Sequence, residues 1–135
     1  MSDIVVVGAG LSGLTSARLL QEKGHNVVVL DKGRGLGGRM ATRRITAPDG
    51  SVALFDHGAQ FFTVREPAFQ QLVDQWIAEG LVREWCRGFV SDDGHPRYVV
   101  NNGMTALTKH LAQGLDVRTS TLVFAIKPCD TDPAK

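Results

Sequence analysis

Four β-branched residues in a row, Ile4 to Val7, carry the unbroken apolar run of a strand covered on both faces. Glycines follow at positions 8, 10 and 13. Behind them Leu11, Leu14, Ala17 and Leu20 recur every three residues, while Arg18, Gln21, Glu22 and Lys23 take the other side. That spacing predicts an amphipathic helix, closed by Gly24 at the C′ position. A second apolar run, Val27 to Leu30, ends on Asp31. Strand, glycine turn, helix and strand in this order make a βαβ unit with a right-handed crossover.

From Lys32 to Arg44 the pattern lapses into glycines and arginines, which reads as a loop. Val52 to Phe55 predicts a further strand, leading into Asp56-His57-Gly58-Ala59-Gln60-Phe61-Phe62. Pro67 suits the first turn of a helix in which Phe69, Leu72, Val73, Trp76 and Ile77 follow the i, i+3, i+4, i+7, i+8 rule, and Gly80 stops it. Val82 to Val90 and Tyr98 to Asn101 are expected to pair as a hairpin around the turn-rich segment from Ser91 to Pro96. A last helix is expected over Met104 to Gln113, then two short strands, Asp116 to Arg118 and Leu122 to Ile126. Two prolines and little apolar content predict a loose tail from Lys127 to Lys135.

Composition narrows the class. At 135 residues, 43% hydrophobic and 21% charged, the chain fits one globular unit. A net charge of +1 gives no global field to recruit nucleic acid or an anionic membrane, so neither is an expected partner. No apolar run approaches the roughly 18 residues of a membrane span. Met1-Ser2-Asp3 lacks the basic start of a secretory leader, and a cytoplasmic location is the expectation. Cys86 and Cys129 make neither a disulfide framework nor a metal site, and the four histidines share no ligand spacing, so no metal is expected.

Eight of the fifteen glycines fall within the first 38 residues, which assigns that segment a task for bare backbone. A lone G-x-G-x-x-G string is weak evidence, but here it follows a strand, opens a helix and has an acid some twenty residues on. Gly8 lets the chain turn off the strand, Gly10 admits a pyrophosphate, and Gly13 lets the helix pack closely on the sheet. The helix N-terminus then faces the phosphates with free N–H groups and the positive end of its dipole. Asp31 can accept from both hydroxyls of an adenosine ribose, and would repel a 2′-phosphate. The second glycine loop, Gly35-Leu36-Gly37-Gly38-Arg39, favours FAD over NAD, because FAD is longer and runs further across such a domain. Its Arg39 can offer a forked pair of donors to phosphate or to the flavin's polar chain.

Taken together, Val6 to Gly13, Asp31-Lys32 and Arg34 to Met40 resemble the flavin-containing amine oxidase superfamily. Asp56 to Thr63 and Asn102-Gly103-Met104, with Trp76 and Trp85, are most similar to its renalase-like branch. The likeness covers about residues 3 to 126. It implies FAD contacts from Gly8, Gly10, Leu11, Ser12 and Gly13 at the diphosphate and from Asp31 and Lys32 at the adenosine. It further implies Gly38, Arg39 and Met40 along the diphosphate and ribityl chain, and His57, Gly58, Ala59, Gln60 and Phe61 near the isoalloxazine. Val123 falls where that family's backbone pairs with adenine. The implied activity is oxidation of isomeric dihydronicotinamide dinucleotides, with hydride passing to flavin and electrons to O2. A flavin-dependent amine oxidase and a non-catalytic nucleotide-binding module are the alternatives.

The expected fold is α/β: a Rossmann-like, FAD-binding parallel sheet, incomplete, with the start of an inserted substrate-side layer. Residues 1–63 and 103–126 belong to the first part and 64–102 to the second. Members of the family are considerably longer, and most of their substrate domain lies in a later segment. No residue is singled out as a general base, as suits hydride transfer in which the flavin carries the chemistry. Oligomeric state is not legible.

Overall fold

A computed structural model describes residues 1–89 and 94–128. The expected βαβ unit is present: β1 (Asp3–Val7), α1 (Leu11–Glu22) and β2 (Asn26–Leu30), with Gly24 in the left-handed region behind the helix. Strand β7 (Asp116–Arg118) joins the far side of β2, giving a parallel sheet in the order β1-β2-β7. Val5 stands beside Val28 and Val28 beside Asp116, so the three strands end at the same level, where Gly8 and Asp31 leave the sheet.

Helix α1 covers one face of that sheet, and α3 (Thr105–Leu111) packs against α1. Leu14, Val29, Met104 and Leu107 are essentially sealed there, each worth roughly 2 kcal/mol of apolar burial. Val5 and Val7 point the other way and are 59% and 55% exposed. The expectation that β1 is buried on both faces is therefore corrected. Among the described residues no element packs over the second face, so the strand alternates despite its unbroken apolar run.

The arginine-rich segment is not all loop. Thr42–Thr46 forms β3, paired antiparallel with β4 (Val52–Asp56) in a two-stranded ribbon. Helix α2 (Pro67–Ala78) has its proline at the first position, as expected, and buries Val73 and Trp76. Leu72 and Ile77, placed on the same stripe by the sequence, stay 39% and 40% exposed at its margins. The hairpin forms from β5 (Val82–Arg87) and β6 (Pro96–Val100), shorter at its first strand and longer at the start of its second than expected. Residues 90–93 of its turn lie outside the described residues, as do Cys129 and the tail from 129 to 135.

Leu122 to Ile126 was expected to be a strand and is not. Ser120 adopts a positive φ of 53°, which turns the chain away from the sheet after β7. Thr121 then donates its N–H to the Asp31 carbonyl at 2.8 Å instead of continuing a ladder.

A polar lock joins the ribbon to the start of α3. Thr42 donates its hydroxyl to Asp56, and the same Asp56 oxygen accepts the Met104 N–H at 2.9 Å. Thr105 accepts the Thr42 N–H on its hydroxyl at 2.7 Å and donates that hydroxyl to the Met40 carbonyl at 2.9 Å. The start of α3 is thereby pinned to Met40 and Thr42, directly behind Arg39, and to Asp56 at the end of β4.

Candidate functional site

Gly8 leaves β1 at φ 107°, a conformation that L side chains rarely adopt. Its N–H still donates to the Leu30 carbonyl at 2.7 Å, so the turn is held against the end of β2. Gly13 follows one helical turn into α1. A Cβ there would come within 1.9 Å of the Gly8 carbonyl oxygen, which brings the helix start directly onto the turn. No side chain caps α1, so its first-turn N–H groups, which have no helical acceptor, face outward at the strand ends.

The second glycine loop docks on the first through backbone alone. Gly37 donates its N–H to the Ala9 carbonyl at 3.1 Å, and Gly10 and Gly37 form an isolated parallel bridge. Gly37 and Gly38 both have positive φ, at 125° and 53°. Gly58 completes the wall: a Cβ there would sit 2.1 Å from the Arg39 carbonyl oxygen, and the Ala59 N–H donates to that oxygen at 2.7 Å. Three loops that are distant in sequence thus meet as bare backbone.

Between them lies a cleft of about 770 Å³. Gly8, Gly10, Leu11, Ser12, Gly13, Asp31, Gly38, Arg39, Met40, Gly58 and Ala59 all border it. A second cleft of about 570 Å³ shares Gly8, Asp31 and Gly38 with the first and continues past Lys32 and Gly33 to Val123. The two form one trough across the ends of β1 and β2. A diphosphate fits its middle. Side chains at Gly8 or Gly10 would find open space on the cleft side rather than protein, the Gly10 Cβ meeting only the Gly37 oxygen at 3.9 Å. Thirteen of the sixteen contact positions expected from the sequence border this trough, but His57, Gln60 and Phe61 are not in its lining.

Gln60 instead borders a separate cleft, next to Arg83 and Trp85. Phe61 packs against Trp85 and Phe89, at ring-centroid distances of 6.1 and 5.4 Å. His57 is exposed. The chain turns between Ala59 and Phe62, because Phe62 exchanges backbone hydrogen bonds with Tyr98 of β6 while Ala59 stays bonded to Arg39. No apolar spacing or turn motif in the chain signals that bridge.

Asp31 is more engaged than its sequence role suggests. One carboxylate oxygen accepts the Ala9 N–H and the other the Gly33 N–H, both at 2.6 Å. An ionised carboxylate offers about four acceptor positions, so two remain for a ligand's hydroxyls. Away from the site, the Ser51 hydroxyl and N–H hold Asp49 below its ordinary range, and the Arg118 guanidinium does the same for Asp116.

Residues 6–76 match the family model described as an NAD(P)-binding Rossmann-like domain. An L-amino-acid oxidase of Siganus canaliculatus is 37% identical over 100 residues, covering 74% of this chain and 17% of that protein. The flavin-dependent L-tryptophan oxidase RebO of Lentzea aerocolonigenes is 28% identical over 134 residues, covering 90% of this chain and 27% of the relative. The flavin-containing amine oxidase A of Sus scrofa is 52% identical over 44 residues, a third of this chain and 8% of its own. The chain spans less than a third of the length of these relatives.

Proposed function

Because this chain belongs to the family of NAD(P)-binding Rossmann-like domains, we propose that it is the N-terminal, FAD-binding part of a flavin-dependent oxidoreductase. The observation that carries the reading is the junction of two glycine loops, Gly37 bonded to Ala9, at the ends of a parallel sheet. A single glycine turn is enough for a mononucleotide or NAD. A second one, continued by Arg39 and Ala59, lengthens the trough in the direction a flavin would take. Relatives named flavin-dependent and flavin-containing oxidases support the same cofactor.

In this reading the α1 N-terminus and the bare Gly8 and Gly10 backbone receive the diphosphate. Asp31 accepts the adenosine ribose hydroxyls, Lys32 and Val123 flank the adenine, and Arg39 steadies the chain between diphosphate and flavin. Gly58 and Ala59 close the flavin end. FAD held there would supply a hydride acceptor for an isomeric dihydronicotinamide dinucleotide as donor, with O2 as the final electron acceptor. The renalase-like likeness of residues 56–63 and 102–104 supports that donor. A second reading, oxidation of an amine or amino acid, is favoured by the names of the relatives.

Titrating the chain with FAD, followed by flavin fluorescence, tests the cofactor. Saturable quenching relieved by excess ADP is expected, and unchanged fluorescence contradicts the proposal. Mixing the FAD-loaded chain with 2- or 6-dihydro-NAD under anaerobic conditions tests the donor. Bleaching of the flavin band by these isomers supports the first reading, and bleaching by amines alone supports the second.

A further inference from the structure

We propose that the cleft between β4 and the β5–β6 hairpin is a second ligand site, built for a small planar aromatic carboxylate. It encloses about 390 Å³ and shares no residue with the glycine trough. Arg83 and Trp85 border it from β5, Asp56 from the end of β4, Gln60 from the segment after it, and Leu54 and Val99 supply apolar wall.

The cleft lining holds one cation, Arg83, and one carboxylate, Asp56. Arg83 has no hydrogen bond or ion pair among the described residues. Glu84, next to Arg83 in sequence, and Asp56 in the lining each have partners of their own. Glu84 holds Arg87 through two bonds of 2.8 and 3.0 Å. Asp56 receives the Thr42 hydroxyl and the Met104 N–H on one oxygen. An incoming carboxylate therefore finds a guanidinium fork with no competitor bonded to it, and the Gln60 amide within the same cleft as a further donor.

The aromatic part has a prepared surface. Trp85 is 48% exposed, yet its ring is not loose: Phe61 and Phe89 brace it at centroid distances of 6.1 and 5.6 Å. Arg97 lies over Phe89 at 4.7 Å and fixes the far side of that cluster. The hairpin ladder also skips Trp85, since Glu84 pairs with Tyr98 and Cys86 with Arg97. Such a bulge frees one residue from the ladder and re-aims its side chain. A braced indole beside an unpaired guanidinium recognises a flat ring that carries a negative charge.

Benzoate is the probe. In the ¹⁵N-labelled chain, Trp85 and the buried Trp76 give separate indole N–H resonances, assigned with Trp85→Phe. Benzoate is expected to shift the Trp85 resonance saturably and leave Trp76 in place, while benzylamine shifts neither. Arg83→Gln is expected to weaken benzoate binding about tenfold, with the Trp76 resonance and the response to ADP unchanged as evidence of an intact fold. A static Trp85 resonance, an equal response to benzylamine, or undiminished benzoate binding in Arg83→Gln would overturn the proposal. The outcome is independent of the cofactor reading, because ADP addresses the glycine trough and benzoate does not.

Discussion

The carboxylate of Asp31 accepts the backbone N–H of Ala9 at 2.6 Å, across 22 residues of sequence, and so ties the end of β2 to the middle of the glycine turn. Its other oxygen ties down Gly33 in the loop that follows. One side chain thereby shapes the site before any ligand reaches it. Asp31→Ala is expected to lose about 1–3 kcal/mol of stability from the two orphaned N–H groups, together with affinity for ADP. Asp31→Asn keeps only part of this, since the amide nitrogen cannot accept. Urea unfolding and calorimetric titration with ADP measure the two effects.

Gly10 and Gly13 are expected to fail differently. A Cβ at Gly13 meets the Gly8 carbonyl at 1.9 Å, so Gly13→Ala forces α1 off the turn, at a cost of about 1–3 kcal/mol for the overpacking. Gly10 has φ −83° and only the Gly37 oxygen at 3.9 Å, so the fold tolerates a side chain there. Gly10→Val should melt near the parent temperature and yet lose nucleotide binding, because its branches fill the trough. Thermal melts run with and without ADP separate the two variants.

Thr105→Val tests the lock on the Arg39 segment. The substitution keeps the shape of the side chain, but strands the Thr42 N–H and removes the bond to the Met40 carbonyl. A loss of about 1–3 kcal/mol is expected for these part-buried groups. Hydrogen exchange should also quicken in β3, which this lock holds to α3.

Much of this architecture was legible because local chemistry and tertiary packing agreed. Gly24, Gly80 and Gly114 end elements in the left-handed region that the sequence reserved for them. The βαβ unit and α2 appear where apolar spacing placed them. Strand β3 was not legible. Thr42-Arg43-Arg44-Ile45-Thr46 lacks an alternating apolar face, and it forms by pairing with β4 in a largely exposed ribbon. The Val5 and Val7 face misled for the opposite reason, since an apolar run reports what a strand can bury and not what lies over it. At the site, Gly8 to Gly13, Asp31 and Arg39 could be read from one motif and its loop. The placement of Gln60 and Phe61 could not, because it depends on Phe62 pairing with Tyr98, 36 residues further along in the hairpin.

The most direct measurement is a calorimetric comparison of ADP with its 2′-phosphorylated analogue on the chain and on Gly10→Val. ADP is expected to bind with one-to-one stoichiometry, at least about tenfold more tightly than the analogue that brings a phosphate toward the Asp31 carboxylate, and not to bind Gly10→Val. Equal affinity for the two nucleotides, or undiminished ADP binding in Gly10→Val, would contradict a diphosphate held on bare backbone beside a ribose-reading acid.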